Sequence, residues 1–241
     1  MNAEQMMQEL EALGSAQTQK IWTNHGAKGP MFGVKVGDMK TLIKKLKKAT
    51  GKKEDQALAS ALYATGNVDA MYFAGLIAEP DVITPEELDR WAHDATFYMV
   101  SEYAVAGTAA ESPHGWALGL RWIESDVPHV ACAGWATLAG CLAVRPDEAL
   151  DHDKIRELLL HIQEHIHGAR NRVRYTMIGF VISVGCYIES LCPLAKEVAE
   201  AVGKVQVNVG KTSCKVPFAP DYIDKVVKMG RLGKKRKMVR C

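Results

Sequence analysis

Residues 89–104 read DRWAHDATFYMVSEYA and contain the unit from which the chain is built. The pattern predicts the end of one helix, a short turn and the start of the next helix. In the second helix Val100, Tyr103 and Ala104 can pack inward, whereas Tyr98 and Glu102 lie four residues apart and share another face. We therefore expect helix–turn–helix units with this spacing elsewhere along the chain.

The pair Tyr98 and Glu102 has the composition of a site for a cation. An aromatic ring offers its π face to a positively charged, electron-poor group, and a carboxylate offers its charge. The alternative is that Tyr98 lies at a helix–helix contact and Glu102 is solvated, as is usual for these residue types. We take Tyr98 and Glu102 as the candidate catalytic residues.

Similar helix starts and stops recur outward from this stretch. Thr84, Pro85 and Glu87 form a helix start, with threonine as cap, proline in the first turn and glutamate closing a capping box. About thirteen short helices follow one another, paired at spacings of roughly 35–40 residues, and only the stretch 204–217 has an extended pattern. This predicts an all-α fold of helical hairpins stacked in a HEAT-like solenoid, with a compact irregular bundle as the alternative. We expect one domain over residues 1–228 and a mobile basic tail over residues 229–241.

Composition limits the classes of function. The 241 residues are 48% hydrophobic and 24% charged, as in ordinary soluble proteins, and no apolar run approaches the ~20 residues of a membrane span. The N-terminus is acidic and amphipathic, which is unlike a targeting signal. Six cysteines without a C-x-x-C pair indicate a reducing cytoplasm. We therefore expect a cytoplasmic monomer, nucleoid-associated if the source is bacterial.

Charge is unevenly spread although the net charge is only +2. Eight lysines face one acid, Asp38, between Val34 and Lys53, and eight Lys or Arg occur without an acid from Lys225 to Cys241. Such clusters are typical of a surface that binds phosphates, although a solvated lysine face is the alternative. The candidate nucleic-acid-binding residues are Lys35, Lys40, Lys44, Lys47, Arg170, Arg172, Arg174, Lys211, Lys215, Lys234, Lys235, Arg236 and Lys237.

Two other motifs resemble a zinc site and a phosphate-binding loop, but each lacks a required element. His161 and His165 belong to an H-x-x-E-H pattern, but their helix has a full apolar stripe and the sequence offers no third zinc ligand at a telling position. Gly210, Lys211 and Thr212 end a phosphate-loop pattern whose upstream glycine position is occupied by Val205. We expect neither a metal nor a cofactor.

Four further stretches are more specific. They are FGVKVGDMKTLIKKLK from residue 32, ALYATGNVDAMYFAGLIA from residue 61, LDRWAHD from residue 88, and W-x-x-G-L-R-W-I-E-S-D from residue 116. In order and spacing, from about residue 20 to residue 190, they resemble the AlkD-type DNA glycosylases. The resemblance implies a HEAT-like repeat protein that binds duplex DNA and excises positively charged alkylated purines.

The resemblance also assigns the cleft residues. That family carries a Trp and an Asp four residues apart after a W-x-x-D landmark, which is residues 91–94 here. An ungapped match places Tyr98 and Glu102 at those positions, whereas a two-residue deletion would match Phe97 and Ser101 instead. The ungapped match keeps an aromatic face and a carboxylate.

Two other cleft groups of the family are replaced. Its active-site Arg falls at Ala131 or Cys132, and its second cleft Trp falls at Gly179, or at Phe180 with a one-residue shift. A cationic purine is already a good leaving group, so one carboxylate beside one π face can stabilise the developing oxocarbenium ion. We expect N-glycosylase chemistry if Glu102 is competent; the alternative is a non-catalytic module that binds unusual DNA structures or a protein partner.

Overall fold

Thirteen α-helices and no β-strand are found in residues 1–240, the part of the chain that the computed structural model describes. The helices are α1 (Ala3–Leu13), α2 (Ala16–Asn24), α3 (Val36–Thr50), α4 (Gln56–Tyr63), α5 (Val68–Ile77), α6 (Pro85–Asp94), α7 (Ala106–Glu111), α8 (Gly115–Ile123), α9 (Pro128–Val144), α10 (His152–His165), α11 (Asn171–Tyr187), α12 (Cys192–Val202) and α13 (Ala219–Lys228). A π-helical segment, Val100–Val105, leads directly into α7. The stretch 204–217, which the sequence predicts to be extended, forms neither a helix nor a strand.

Local sequence explains the helix boundaries. Asn67 and Thr84 cap α5 and α6 through side-chain oxygens that accept backbone N–H groups of the first turn. The capping box predicted at Thr84 is only half formed, because Glu87 turns away to accept hydrogen bonds from Ser60 and Gln56 of α4. The same carboxylate thereby joins α6 to the preceding hairpin.

The second helix of each hairpin packs against the second helix of the next hairpin. These second helices form a row in the order α5, the π-helical segment with α7, α9, α11 and α13. Helix α9 is central and contacts α7, α8 and α11. The α5 helix and the π-helical segment approach closely because Gly75 has no side chain: a Cβ there would lie 2.6 Å from Cβ of Ala104. The apolar stripes of these helices form two hydrophobic clusters, one in each half of the chain.

Asp69 holds the extended stretch that precedes α3. Its buried carboxylate accepts hydrogen bonds from the N–H groups of Phe32, Gly33 and Val34 at 2.6, 3.1 and 2.6 Å. Burial raises the pKa of the Asp69 carboxyl, and these backbone donors oppose the rise. Two of the sequence stretches that resemble the glycosylases are therefore bound to each other through one side chain.

The helices differ in how apolar they are. No single helix within residues 1–240 is long and apolar enough to cross a membrane. The pair Asn171–Tyr187 and Glu189–Val202 meets the length and composition requirements only when taken together, and the chain bends by 115° between the two. In this fold α11 contributes Met177, Phe180 and Val184 to the C-terminal core cluster.

The basic tail packs against the domain, so the prediction that it is mobile is wrong for residues 229–240. The N–H of Gly233 donates to the carbonyl of Cys186 at 3.0 Å, and the N–H of Arg236 donates to the carbonyl of Ala143 at 2.7 Å. Lys235 Nζ donates to the carbonyl of Leu142 at 2.9 Å and lies 2.6 Å from Asp147. Backbone and side-chain donors of the tail thus satisfy carbonyls at the ends of α9 and α11.

Within the tail, the side chain of Arg240 is buried. Its guanidinium, only 5% exposed, forms ion pairs with Glu111 at 2.8 Å and Glu54 at 2.7 Å, and donates to the carbonyls of Gly75 and Ala78 at the end of α5. The other oxygen of Glu111 accepts the N–H groups of Val239 and Arg240. This arrangement could not be predicted from local sequence, because the partners are up to 186 residues away.

We predict that Arg240→Ala destabilises the fold. The substitution leaves Glu111, whose side chain is only 13% exposed, and two helix-end carbonyls without their donor. This costs about 3 kcal/mol and lowers Tm by roughly 6–12 °C. Thermal unfolding followed by circular dichroism measures the change. Lys237→Ala is the matched control, because Lys237 is an exposed cation of the same tail, and its Tm is expected to stay within about 1 °C of wild type. Equal Tm values for all three proteins would contradict the packed tail.

Candidate functional site

A cleft of about 610 Å³ lies between the first and last thirds of the chain. It is lined by the end of α2, the start of the π-helical segment, the start of α11 and the loop of residues 203–218. The lining residues include Asn24, His25, Tyr98, Tyr103, Asn171, Arg172, Tyr175, Asn208, Gly210 and Cys214. The candidate pair Tyr98 and Glu102 lies at the base of this cleft, with Glu102 only 5% exposed.

An arginine from α11 occupies the position between these two residues. Arg172 donates Nε to Oε1 and Nη2 to Oε2 of Glu102, each at 2.6 Å, in a bidentate ion pair. Its guanidinium carbon lies 4.1 Å from the ring centroid of Tyr98 and 4.0 Å from that of Tyr175. The arginine is therefore held by a carboxylate and two aromatic rings, which is the environment expected for a bound planar cation.

Local structure explains how the four groups meet. Tyr98 and Glu102 are four residues apart where the chain enters the π-helical segment, and such segments often occur at functional sites. Arg172 and Tyr175 are three residues apart on α11, so they share a face of that helix. Tyr98 is fixed further by His25, whose Nδ1 lies 3.0 Å from the tyrosine Oη.

Burial governs the titration of the cleft residues. Burial raises the pKa of the Glu102 carboxyl, and the two hydrogen bonds from Arg172 oppose that rise. Burial and the nearby Glu102 charge raise the pKa of Tyr103 to about 12, and of the Cys132 thiol to about 12. The tyrosine and the thiol are therefore neutral at physiological pH, and the charge of Glu102 is balanced by Arg172.

The alternative register places no functional group in the cleft. Phe97 is 3% exposed and packs against Trp22 with ring centroids 6.0 Å apart. Ser101 is fully buried, and its hydroxyl lies 3.4 Å from the carbonyl of Tyr98. Neither lines the cleft. In the ungapped register Tyr98 lines it, and Glu102 reaches it through Arg172, which is a lining residue.

The two replaced positions have no cation and no accessible indole. Ala131 and Cys132 are 3% and 1% exposed on α9, and Cys132 lies close enough to Glu102 for the carboxylate to disfavour its ionisation. Phe180 is fully buried against Trp135. A Cβ at Gly179 would meet no atom within 4 Å, so this position leaves an open surface on α11.

The predicted DNA-binding cations differ in their exposure and in their partners. Lys35, Lys40, Lys44 and Lys47 are exposed and, within the described residues, none of them forms an ion pair. Arg172 was predicted to bind phosphate, but its Nε and Nη2 donate to Glu102 and its guanidinium lies between the rings of Tyr98 and Tyr175. The sequence could show that Arg172 and Tyr175 share a helix face; it could not show Glu102, 70 residues away, as the partner.

The remaining predicted cations differ in whether they form an ion pair and in how exposed they are. Arg170 pairs with the exposed Asp126 at 3.0 Å, and Arg174 is half-buried with an Nε that lacks a hydrogen-bond partner. Lys211 and Lys215 are exposed on the loop beside the cleft. In the tail Lys235 pairs with Asp147, whereas Lys234, Arg236 and Lys237 are exposed.

The loop of residues 203–218 closes one side of the cleft. Asn171 at the start of α11 donates to the carbonyl of Asn208 at 2.8 Å and accepts its N–H at 2.7 Å. Gly210 adopts φ 74°, and a Cβ there would lie 2.9 Å from the carbonyl oxygen of Asn24, so only glycine fits. No helix follows Thr212 directly, which removes the phosphate-loop interpretation of this glycine.

The histidine motif has a packing role. His161 stacks on Trp135 with ring centroids 6.4 Å apart, and His165 stacks on His161 at 4.4 Å. Over residues 1–240 no group of three His, Cys, Asp or Glu side chains is arranged to hold a metal ion. The structure therefore offers no zinc site at these residues.

Comparisons with known proteins agree with one another. Residues 6–182 match the family described as DNA alkylation repair enzyme. Uncharacterized proteins of Listeria innocua and Listeria monocytogenes are each 34% identical over 226 residues, covering 92% of this chain and 96% of the relative. A solved structure described as "A new family of proteins related to the HEAT-like repeat DNA glycosylases with affinity for branched DNA structures" is 40% identical, covers 100% of both chains and has a TM-score of 0.89. The predicted all-α, HEAT-like fold is confirmed.

We predict a strong energetic coupling between Arg172 and Glu102. In a double-mutant cycle with Arg172→Met and Glu102→Gln, the double variant should be more stable than the sum of the single changes implies, by about 2 kcal/mol or more. The physical reason is that each single change leaves the other group buried without its partner. Urea unfolding measures the free energies.

The exposed pair Arg170 and Asp126 is the matched control for this cycle. It joins the same end of α11 to another helix pair, yet Asp126 is fully exposed. Its coupling should stay below about 1 kcal/mol. Equal coupling energies for the two pairs would show that Arg172 and Glu102 are not held as the structure places them.

Proposed function

This chain belongs to the DNA alkylation repair enzyme family, and we propose that it is a non-catalytic member that binds branched DNA. The structural relative with 40% identity over the whole chain is described as having affinity for branched DNA structures. That likeness supports DNA as the partner. The site supports binding in preference to excision.

The observation that carries the proposal is the position of Arg172. A cationic purine would need the π face of Tyr98 and the charge of Glu102, and Arg172 already takes both. A cationic purine would therefore have to displace the arginine and replace both of the hydrogen bonds that Nε and Nη2 donate to Glu102. This competition disfavours entry of the purine before any chemistry begins. The carboxylate therefore acts as an internal counter-ion.

Exposed lysines supply the means of binding. Lys35, Lys40, Lys44 and Lys47 project from α3 and its N-terminal approach, and their charges are not neutralised by carboxylates within the described residues. Contacts from lysine to phosphate are independent of base sequence. A protein that binds in this way selects DNA by shape, as recognition of a branch point requires.

The cysteines bear on the cellular setting. Cys132, Cys141, Cys186, Cys192 and Cys214 are free thiols, four of them buried. This is in keeping with a reducing compartment. We propose a cytoplasmic monomer that acts on chromosomal DNA.

Binding to a fully paired four-way junction tests the function. We expect the junction to bind at least about tenfold more tightly than a linear duplex with the same number of base pairs, with affinity falling steeply between about 50 and 200 mM salt. Fluorescence anisotropy with labelled DNA measures both. Lys40→Gln with Lys44→Gln and Lys47→Gln should weaken junction binding and flatten its salt dependence. Equal affinity for junction and duplex, or affinity that does not change with salt, would contradict the proposal.

An excision assay tests the absence of catalysis. With duplex DNA that carries N3- or N7-methylated purines, base release by the wild-type protein should equal spontaneous depurination, because Arg172 fills the site for the cation. Chromatography of the released base against a no-protein control measures it. Release above the control that is lost in Glu102→Gln would show that Glu102 is catalytic and that the arginine does not block it.

A further inference from the structure

A second groove lies at the C-terminal end of the fold, away from the cleft. It has a volume of about 770 Å³ and is formed by the end of α11, by α13 and by the tail that folds back over them. Two tyrosines and five cations line it: Tyr187, Tyr222, Lys225, Arg231, Lys234, Lys235 and Arg236. It exists only because the tail is packed, and the proposed function does not use it.

Most of the groove's positive charge is free to meet a ligand. Lys225, Arg231, Lys234 and Arg236 are exposed, and none of these four forms an ion pair within residues 1–240. The nearby carboxylate of Asp224 is paired with Lys196 at 2.5 Å. An anion in this groove therefore meets unneutralised cations on two sides.

The groove also offers apolar surface. Tyr222 is 49% exposed and Met229 is 56% exposed, and both line the groove beside Lys225. A duplex presents phosphates to such a surface but keeps the faces of its bases stacked inside. An unpaired strand presents both, because its bases can stack on a tyrosine ring while its phosphates meet the cations.

We propose that this groove binds unpaired DNA, such as the single-stranded segment at a branch point. The inference rests on the proposed function and names a second element of the branched ligand. One face of α11 connects the two sites: Arg172, Tyr175, Gly179 and Ser183 recur at helical spacing over about 16 Å. The open surface at Gly179 leaves the path between them clear. The cleft and the groove thus lie along one face of the same helix, and one branched DNA molecule can contact both.

The test uses a fluorescently labelled oligothymidine of about 15 nucleotides, together with the fully paired four-way junction. One variant combines Lys225→Gln, Arg231→Gln and Lys234→Gln, and a second carries Tyr222→Ala. The control combines Arg90→Gln, Arg121→Gln and Arg156→Gln, which removes the same charge from exposed positions on α6, α8 and α10, the first helices of three hairpins. Anisotropy titrations at one salt concentration compare all four proteins.

We expect the triple groove variant to lose at least about tenfold, and Tyr222→Ala at least about fivefold, of the oligothymidine affinity. Both should keep junction affinity within about twofold of wild type, and the control should keep both affinities. Equal losses in groove and control variants, or a groove variant that loses junction binding as strongly as oligothymidine binding, would overturn the proposal. Wild-type protein that binds the junction but not oligothymidine would overturn it as well and leave the proposed function standing. If oligothymidine binding depends on the groove but the protein binds junction and linear duplex equally well, the groove proposal is supported and the proposed function is contradicted.

Discussion

The bidentate ion pair between Arg172 and Glu102, with the guanidinium between the rings of Tyr98 and Tyr175, is the interaction on which the cleft depends. It binds the π-helical segment to α11 across the base of the cleft and neutralises a carboxylate that is almost completely buried. A charge in that position requires a partner, because an unpaired buried carboxylate is strongly unfavourable. The chain supplies this partner itself, and a cationic ligand would have to compete with it.

The surrounding replacements fit this arrangement. Ala131 and Cys132 on α9 are buried and apolar where the resembling family has an arginine, so Arg172 is the guanidinium that faces Glu102. Gly179 leaves α11 bare where a second indole is expected. The chain has the fold of the DNA alkylation repair enzyme family, and its cleft contains a cation of its own. A shared fold does not by itself determine the activity of the site that it carries.

Sequence predicted the parts of the structure that are encoded locally. Helix starts such as Asn67 and Thr84 and the apolar stripes of α9 and α11 are set by residues within a few positions, so the order of helices and the all-α class followed from them. The closeness of Tyr98 to Glu102 followed from helical spacing in the same way. The role of Arg172 did not, because it depends on how two helices 70 residues apart are packed. The tail was misjudged for the same reason: a basic stretch with few apolar residues resembles a mobile segment until Glu111 and the end of α5 are brought beside Arg240.

The most direct test of the account is whether Arg172 stays in place when DNA binds. The Nε–H resonance of Arg172, identified by its loss in Arg172→Lys, can be followed by ¹H–¹⁵N NMR in the free protein and with a four-way junction or methylated duplex. A guanidinium held by Glu102 and two rings should give a slowly exchanging Nε–H whose position changes little on addition of either DNA. Disappearance of this signal, or rapid exchange with water once methylated duplex is added, would show that the arginine leaves the cage and that the cleft receives a cation after all.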